Sequence, residues 1–125
     1  MTENEISFIV RGAIYDIYKE FGPGLFEKVY EKILKIRLQK LGLSVQTQVE
    51  IPIIVDDIVI DSAFKADIVV EEKIIIEIKS VEAIAKVHHM QLLTYLRLSK
   101  LKLGILVNFN TEDITTSIFR KVNKL

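Results

Sequence analysis

The spacing of the hydrophobic residues predicts three helices. Between residues 5 and 21, apolar side chains recur at steps of three or four, which is the period of an amphipathic helix. These positions are Ile6, Ile9, Val10, Ala13, Ile17 and Phe21. Gly22 suits the left-handed cap that ends many helices and Pro23 cannot continue one, so this helix should end there. The same pattern predicts a second helix over residues 25–41 and a third over residues 82–99.

The remaining apolar segments are rich in β-branched residues and predict strands. Residues 45–60 contain Pro52 and an Asp-Asp pair, which indicate strands interrupted by a turn. Further strands are predicted at residues 64–71, 73–79 and 103–109. The C-terminal segment 117–125 alternates weakly, so an edge strand and a helix both stay open for it. The order of elements predicts an α/β or α+β fold, and the length of 125 residues predicts a single domain over residues 1–125.

The composition excludes several classes of protein. The chain has no cysteine, which excludes a disulfide framework and a thiolate zinc site. Residues 2–7 lack the basic and apolar character of a signal peptide, and no apolar run approaches the about 20 residues that span a bilayer. We therefore expect a soluble, cytoplasmic protein without a membrane partner. Acidic and basic residues balance at 17 each, which argues against a protein that coats nucleic acid through broad electrostatics.

A carboxylate and an ammonium interrupt the most apolar run of the chain. Glu77 and Lys79 are two residues apart on a predicted strand, so their side chains share one face. If the preceding hairpin turns at residues 71–73, Asp67 falls opposite Glu77. The three groups would then lie within about 5–7 Å of one another, whereas a slip of one residue would turn Asp67 to the other face.

Each of two predicted helices carries polar residues at unexpected positions. Glu27 falls within the apolar arc of the second helix, although a first-turn acid also suits the helix dipole. The apolar members of that arc are Phe26, Val29, Tyr30, Ile33, Leu34 and Leu41. On the third helix, His88, Gln91 and Tyr95 share a stripe that would bring polar groups to a common cleft, with local packing as the alternative for Gln91 and Tyr95. His89 points about 100° away and is expected at the surface.

Together these acids predict a metal site. Glu27, Asp67 and Glu77 would meet beside Lys79, and an excess of about two negative charges, partly buried, costs several kcal/mol unless it is neutralised. A hard divalent cation with oxygen ligands neutralises it well. Lys79 could then orient an attacking water, help to deprotonate it, or stabilise the charge of a phosphorane-like transition state.

The same residues resemble a known superfamily. Asp67, followed ten residues later by Glu77-Ile78-Lys79, resembles the metal-binding core of the PD-(D/E)XK nucleases, although Ala66 stands where the motif has a nominal proline. The segment Gly24-Leu25-Phe26-Glu27-Lys28-Val29-Tyr30 resembles the signature of the GxxExxY family, a branch of that superfamily. The spacing His88-x-x-Gln91-x-x-x-Tyr95 and the later "GILVNFN" are also similar, so the likeness covers residues 5–120.

The resemblance implies a restriction-endonuclease-like core, in which helices flank a mixed central β-sheet. It implies that Mg²⁺ or Mn²⁺ is held by Asp67, Glu77 and the carbonyl of Ile78, with Lys79 as the catalytic lysine. Glu27 would assist the metal or the water from its helix.

The resemblance also assigns Gln91 and Tyr95 to contact with nucleic acid or to support of the site, and we expect His88 to touch the substrate. The basic residues would either hold phosphates at the cleft or lie on ordinary solvated faces. They are Arg97, Lys100 and Lys102 with Lys28, Lys32 and Lys35 of the second helix.

The expected activity is metal-dependent hydrolysis of phosphodiester bonds, in DNA rather than RNA. The alternative is a non-catalytic module that binds nucleic acid or assembles with partners while retaining the nuclease scaffold. A third hypothesis is that the protein is a structural homodimer.

Overall fold

The helices and strands follow the order that the hydrophobic pattern predicts. A computed structural model describes the backbone of residues 1–125 and all side chains except those of residues 62 and 63. Its elements are α1 (Glu3–Phe21), α2 (Glu27–Lys40), β1 (Val45–Val55), β2 (Ile58–Val70), β3 (Ile74–Lys79), α3 (Lys86–Ser99), β4 (Leu103–Asn108), a short 3-10 helix (Ile114–Thr116) and β5 (Ile118–Val122). The predicted combination of helices with a β-sheet is confirmed. No helix in the described part of the chain is long and apolar enough to cross a membrane.

The strands form one mixed sheet in the order β1-β2-β3-β4-β5. Neighbouring strands are antiparallel except for β3 and β4, which are parallel and are connected through α3. Both β3 and β4 are apolar and almost completely buried, as is typical of strands covered on both faces. The open question about the C-terminal segment is settled, because β5 is an edge strand.

Two hydrophobic clusters cover the two faces of the sheet. α1 and α2 pack on one face, against the side chains of Ile68, Ile76 and Ile105 among others. α3 packs on the opposite face, against Ile75 and Leu106. The sheet is therefore flanked by helices on both sides, in the arrangement of a restriction-endonuclease-like core.

Glycine permits the close approach of α3 to β4. A Cβ atom added at Gly104 would lie 2.8 Å from the Cδ1 atom of Leu92, so a larger residue would require the Leu92 side chain or its helix to shift. α3 begins at Lys86, four residues later than the apolar pattern predicts, because residues 81–85 form a loop that links the end of β3 to the helix.

The first hairpin is longer than the sequence indicates. β2 runs without interruption from Ile58 to Val70 and pairs with β1 along most of its length, although the pattern predicts a break before residue 64. The turn between the two strands lies at Asp56 and Asp57, as predicted, and both residues have positive φ. Asp is one of the few residues besides glycine that tolerates this conformation.

Candidate active site

Asp67 and Glu77 meet at the position where β2 and β3 stop pairing through their backbones. Ile68 lies opposite Ile76, in the predicted register, so the next position of the ladder brings Asp67 and Glu77 together. There the N–H of Asp67 donates to Oε2 of Glu77 at 2.7 Å. The N–H of Ile78 donates to Oδ2 of Asp67 at 2.8 Å. The two carboxylates therefore bridge strands that would otherwise be joined by backbone hydrogen bonds.

Burial and mutual repulsion disfavour the charged forms of this pair. The side chain of Glu77 is only 7% exposed, and Asp67 is half-buried. Loss of solvation, followed by the negative charge of Asp67, raises the pKa of Glu77 to about 8. Loss of solvation also raises the pKa of Asp67, although its hydrogen bond from the N–H of Ile78 acts in the opposite direction. When both acids are ionised, the site therefore carries more negative charge than its surroundings compensate.

Lys79 supplies the nearest positive charge without forming an ion pair. Its ammonium lowers the pKa of both Asp67 and Glu77. Among the side chains that the structure describes, however, the only ion pair within 4.0 Å joins Arg37 to Glu20. The ammonium of Lys79 is half-buried and is left free of a direct carboxylate partner, so it can act on a third group.

The sequence interpretation missed two residues, Glu31 and Gln48. Glu31 lies on α2 and is 7% exposed, and its negative charge raises the pKa of both Asp67 and Glu77. The amide of Gln48 donates to Oε1 of Glu31 at 2.6 Å and reaches Oδ1 of Asp67 at 3.5 Å. Gln48 has a φ of 51°, and its unusual backbone places the amide between the two acids.

A sequence signal for Glu31 does exist. It lies four residues after Glu27 and three before Leu34, so it shares the buried stripe of α2. That stripe is narrower than the predicted arc: Phe26 is 83% exposed, and Val29 and Leu41 are exposed as well. The prediction for these three apolar residues is wrong because a surface helix buries only the side that faces the sheet.

Glu27 lies beside the end of β3. Its Oε2 accepts a hydrogen bond from the N–H of Ser80 at 3.0 Å, and the hydroxyl of Ser80 donates to the carbonyl of Leu25 at 2.9 Å. These bonds fasten the start of α2 to the residue that follows Lys79. On α2, it is the negative charge of Glu31 that raises the pKa of both Asp67 and Glu77.

Tyr30 also helps to join the start of α2 to the end of β3, through contacts in the core. Its ring stacks on Phe109 with the centroids 4.1 Å apart. Its hydroxyl donates to the carbonyl of Gly22 at 2.5 Å and accepts from the N–H of Leu25 at 3.2 Å. The N–H of Phe109 donates to the carbonyl of Lys79 at 3.0 Å. The segment containing Glu27 and Tyr30 therefore holds the strand end that carries the lysine.

Asn108 holds the loop that follows β3. It is buried and lies level with Lys79 in the parallel ladder. Its side-chain amide donates to the carbonyl of Val81 at 2.9 Å, and its Oδ1 accepts from the N–H groups of Val81 at 3.1 Å and Asn110 at 3.2 Å. A buried amide with all these partners fixes the backbone just beyond the lysine.

The polar residues of α3 differ in burial. Tyr95 is buried, and loss of solvation and then the charges of Glu77 and Asp67 raise its pKa. Gln91 is exposed, while His88 is half-buried and its Nδ1 accepts from the N–H of Ala85 at 3.0 Å. His89, expected at the surface, is half-buried and lines a cavity of about 690 Å³.

The basic residues at the end of α3 lie far from the carboxylates. Lys102 comes immediately before Leu103, the first residue of β4. Lys79 pairs with Asn108, the last residue of the same strand. Six strand residues separate the two positions, which corresponds to about 20 Å. Arg97, Lys100 and Lys102 instead line another cavity together with Lys124.

The carboxylate pair fits a hydrated divalent cation. Each acid retains one oxygen that no backbone N–H occupies, Oδ1 in Asp67 and Oε1 in Glu77. Within the described side chains there is no group of three or more His, Cys, Asp or Glu residues arranged to hold a metal ion. Mg²⁺ is often bound by one or two carboxylates because it keeps several water ligands, so two acids with uncompensated charge are a suitable site.

Comparison with known proteins agrees with this geometry. A family model described as the PD-(D/E)XK nuclease superfamily matches residues 4–121, and the chain therefore belongs to that superfamily. Neither the comparison with curated proteins nor the comparison with solved structures produced a match.

Proposed function

We propose that this protein is a metal-dependent nuclease that hydrolyses phosphodiester bonds in DNA. The observation that supports it most directly is the contact of Asp67 with Glu77 at the point where two strands part, next to the free ammonium of Lys79. Membership of the PD-(D/E)XK superfamily supports the same reaction class. We further propose that the chain belongs to the GxxExxY branch, on the strength of Gly24, Glu27 and Tyr30, and that it acts in the cytoplasm.

The proposed cofactor is Mg²⁺ or Mn²⁺, held by Oδ1 of Asp67 and Oε1 of Glu77, which accept no backbone N–H, with the carbonyl of Ile78. When bound, such a cation supplies Lewis-acid stabilisation of a phosphate oxygen and a water of lowered pKa. The protein contributes orientation: two backbone N–H groups fix the planes of the carboxylates, so little reorganisation is needed during the reaction.

Lys79 is the proposed catalytic lysine. Because no carboxylate holds its ammonium directly, it can donate a hydrogen bond to an attacking water or to a charged phosphate oxygen. Glu27 is proposed to assist by holding the N–H of Ser80, which keeps the strand end in place. Tyr95, Gln91 and His88 are proposed to face the substrate from α3. The charges of Glu77 and Asp67 raise the pKa of Tyr95, which supports a place for this residue at the site.

The test is cleavage of labelled DNA and RNA by the purified protein with Mg²⁺, with Mn²⁺ and with EDTA. We expect metal-dependent cleavage of DNA that is lost in Asp67→Asn, Glu77→Gln and Lys79→Met. Glu112→Gln and Lys40→Met change exposed residues of the same types and should retain activity. Circular dichroism establishes that every variant is folded. Activity that survives in Glu77→Gln and Lys79→Met would assign the cleavage to a contaminant or to another site.

A second function is favoured by one observation, the lack of a third metal-ligating side chain within the described residues. A protein with this scaffold could bind nucleic acid or a partner without cleaving it. Calorimetric titration separates the two functions: no Mg²⁺ binding near millimolar concentrations, with DNA binding unchanged by the metal, would favour the non-catalytic module.

A further inference from the structure

The distal part of the first hairpin is uncovered. Residues 53–61, called the ribbon here, extend beyond the region of β2 that pairs with β3, which is limited to residues 68–70. Five neighbouring apolar side chains of the ribbon are between 47% and 68% exposed. They are Ile54, Val55, Ile58, Val59 and Ile60.

The ribbon has the sequence of a strand pair that is buried on both faces. Its cross-strand pairs are Ile53 with Ile60, Ile54 with Val59, and Val55 with Ile58. Successive pairs point to opposite faces, so both faces are apolar. Strands that face water on one side alternate apolar and polar residues, and an isolated two-stranded hairpin is only marginally stable in water. The ribbon therefore requires a cover that the rest of its own chain does not supply.

The charge of the ribbon excludes a nucleic acid as that cover. Residues 53–61 contain Asp56, Asp57 and Asp61 but no Lys, Arg or His. A segment with three negative charges repels phosphate groups, whether in nucleic acid or at an acidic lipid surface. Because the whole chain has 17 acidic and 17 basic residues, the part outside the ribbon carries three more positive than negative charges. A second copy of the chain therefore offers a surface of complementary charge.

The same chain has a groove that matches the ribbon. At the base of the ribbon, a cavity of about 360 Å³ lies between β1 and the end of α3. Ile51, Pro52, Leu98 and Leu101 contribute to its apolar wall, and Glu50 and Glu72 line it as well. The basic cluster, defined as Arg97, Lys100, Lys102 and Lys124, lines an adjacent cavity of about 460 Å³. Three members of the cluster are sequence neighbours of groove residues, so an apolar groove adjoins a basic rim.

We propose that two copies of this chain associate by exchanging ribbons, each ribbon lying in the groove of the other copy with its acidic tip against the basic cluster. Since ribbon and groove adjoin on one chain, a single two-fold axis satisfies both contacts at once. Each partner then contributes one ribbon and one groove to the interface, so every contact is made twice.

The first experiment measures molar mass by light scattering and sedimentation over a wide range of protein concentration. We expect the wild type at twice the monomer mass of 14.3 kDa, and the double variant Ile54→Thr/Ile58→Thr at the monomer mass. Threonine preserves strand propensity, so circular dichroism should be unchanged. Phe8→Thr, which alters an apolar residue of α1 that is 80% exposed, is the matched control and should stay dimeric. A wild type that is monomeric throughout, or a ribbon variant that dimerises normally, would overturn the proposal.

The second experiment tests the partner surface by charge exchange. The ribbon variant carries Asp56→Asn, Asp57→Asn and Asp61→Lys, and the cluster variant carries Arg97→Glu, Lys100→Asp and Lys102→Glu. Each should weaken dimerisation at least tenfold, and the chain that combines all six changes should regain most of that loss. Equal affinity in all four proteins would refute the docking of the ribbon on the cluster. Neither experiment involves cleavage, so its result is independent of the proposed nuclease activity.

Discussion

Asp67 and Glu77 hold each other's strands together: the carboxylate of Glu77 accepts the N–H of Asp67, and the carboxylate of Asp67 accepts the N–H that follows Glu77. This reciprocal arrangement fixes two acids side by side in a poorly solvated place. It also explains why their pKa values rise although hydrogen bonds and Lys79 favour the charged forms, since loss of solvation outweighs both.

The first prediction concerns stability and pH in the absence of metal. Folding raises the pKa of Glu77 from 4.5 to about 8. Between these two pH values the Glu77 carboxyl is protonated in the folded state and ionised in the unfolded state. The stabilisation is complete below about pH 4.5 and is lost as the pH rises through 8. In EDTA, the unfolding free energy of the wild type should fall from pH 5 to pH 9 relative to that of Glu77→Gln, as measured by urea denaturation. A constant difference between the two proteins would contradict the raised pKa.

The second prediction concerns metal binding. A divalent cation relieves the repulsion between Asp67 and Glu77, so Mg²⁺ should raise the melting temperature of the wild type at pH 8. The effect should be smaller at pH 6, where protons compete for Glu77. Differential scanning fluorimetry with Asp67→Asn should show no shift, while Glu112→Gln should match the wild type. An equal shift in Asp67→Asn would place the cation elsewhere.

The third prediction distinguishes the two acids of α2. The charge of Glu31 raises the pKa of Glu77, so Glu31→Gln should lower that pKa. Glu27→Gln should leave it nearly unchanged, because its carboxylate is engaged with Ser80. Carbon-detected NMR titration of the Glu77 carboxyl group measures both. A larger change from Glu27→Gln than from Glu31→Gln would show that Glu27, and not Glu31, is the acid of α2 that acts on Glu77.

The fourth prediction concerns Asn108 as a positioning residue. Asn108→Ala removes three hydrogen bonds from the loop after β3 and should destabilise the protein by about 1–3 kcal/mol, because buried groups lose their partners. If the protein cleaves DNA, kcat should fall while Mg²⁺ affinity is retained, since Lys79 rather than the carboxylates is displaced. Asn108→Asp keeps the acceptor atom and should recover part of kcat. Loss of Mg²⁺ binding in a folded Asn108→Ala protein would exclude this role.

Much of the site could be predicted because its spacing is local. Asp67, Glu77 and Lys79 lie on one hairpin, where the turn determines the register and alternation determines the face. Glu31 and Gln48 could not be assigned in the same way. Gln48 reaches the site only because its left-handed backbone interrupts the pairing of β1 with β2, and no local pattern indicates that conformation.

The sequence alone determined the order of helices and strands, the α+β class and the register of the central hairpin, because these depend on periodicity and on turns between neighbouring segments. The tertiary structure decided which arc of α2 is buried, which glutamate of that helix acts on the pair, and which apolar strands stay uncovered. Those outcomes depend on contacts between residues distant in the chain, and a side chain's burial is set by what packs against it rather than by its own hydrophobicity.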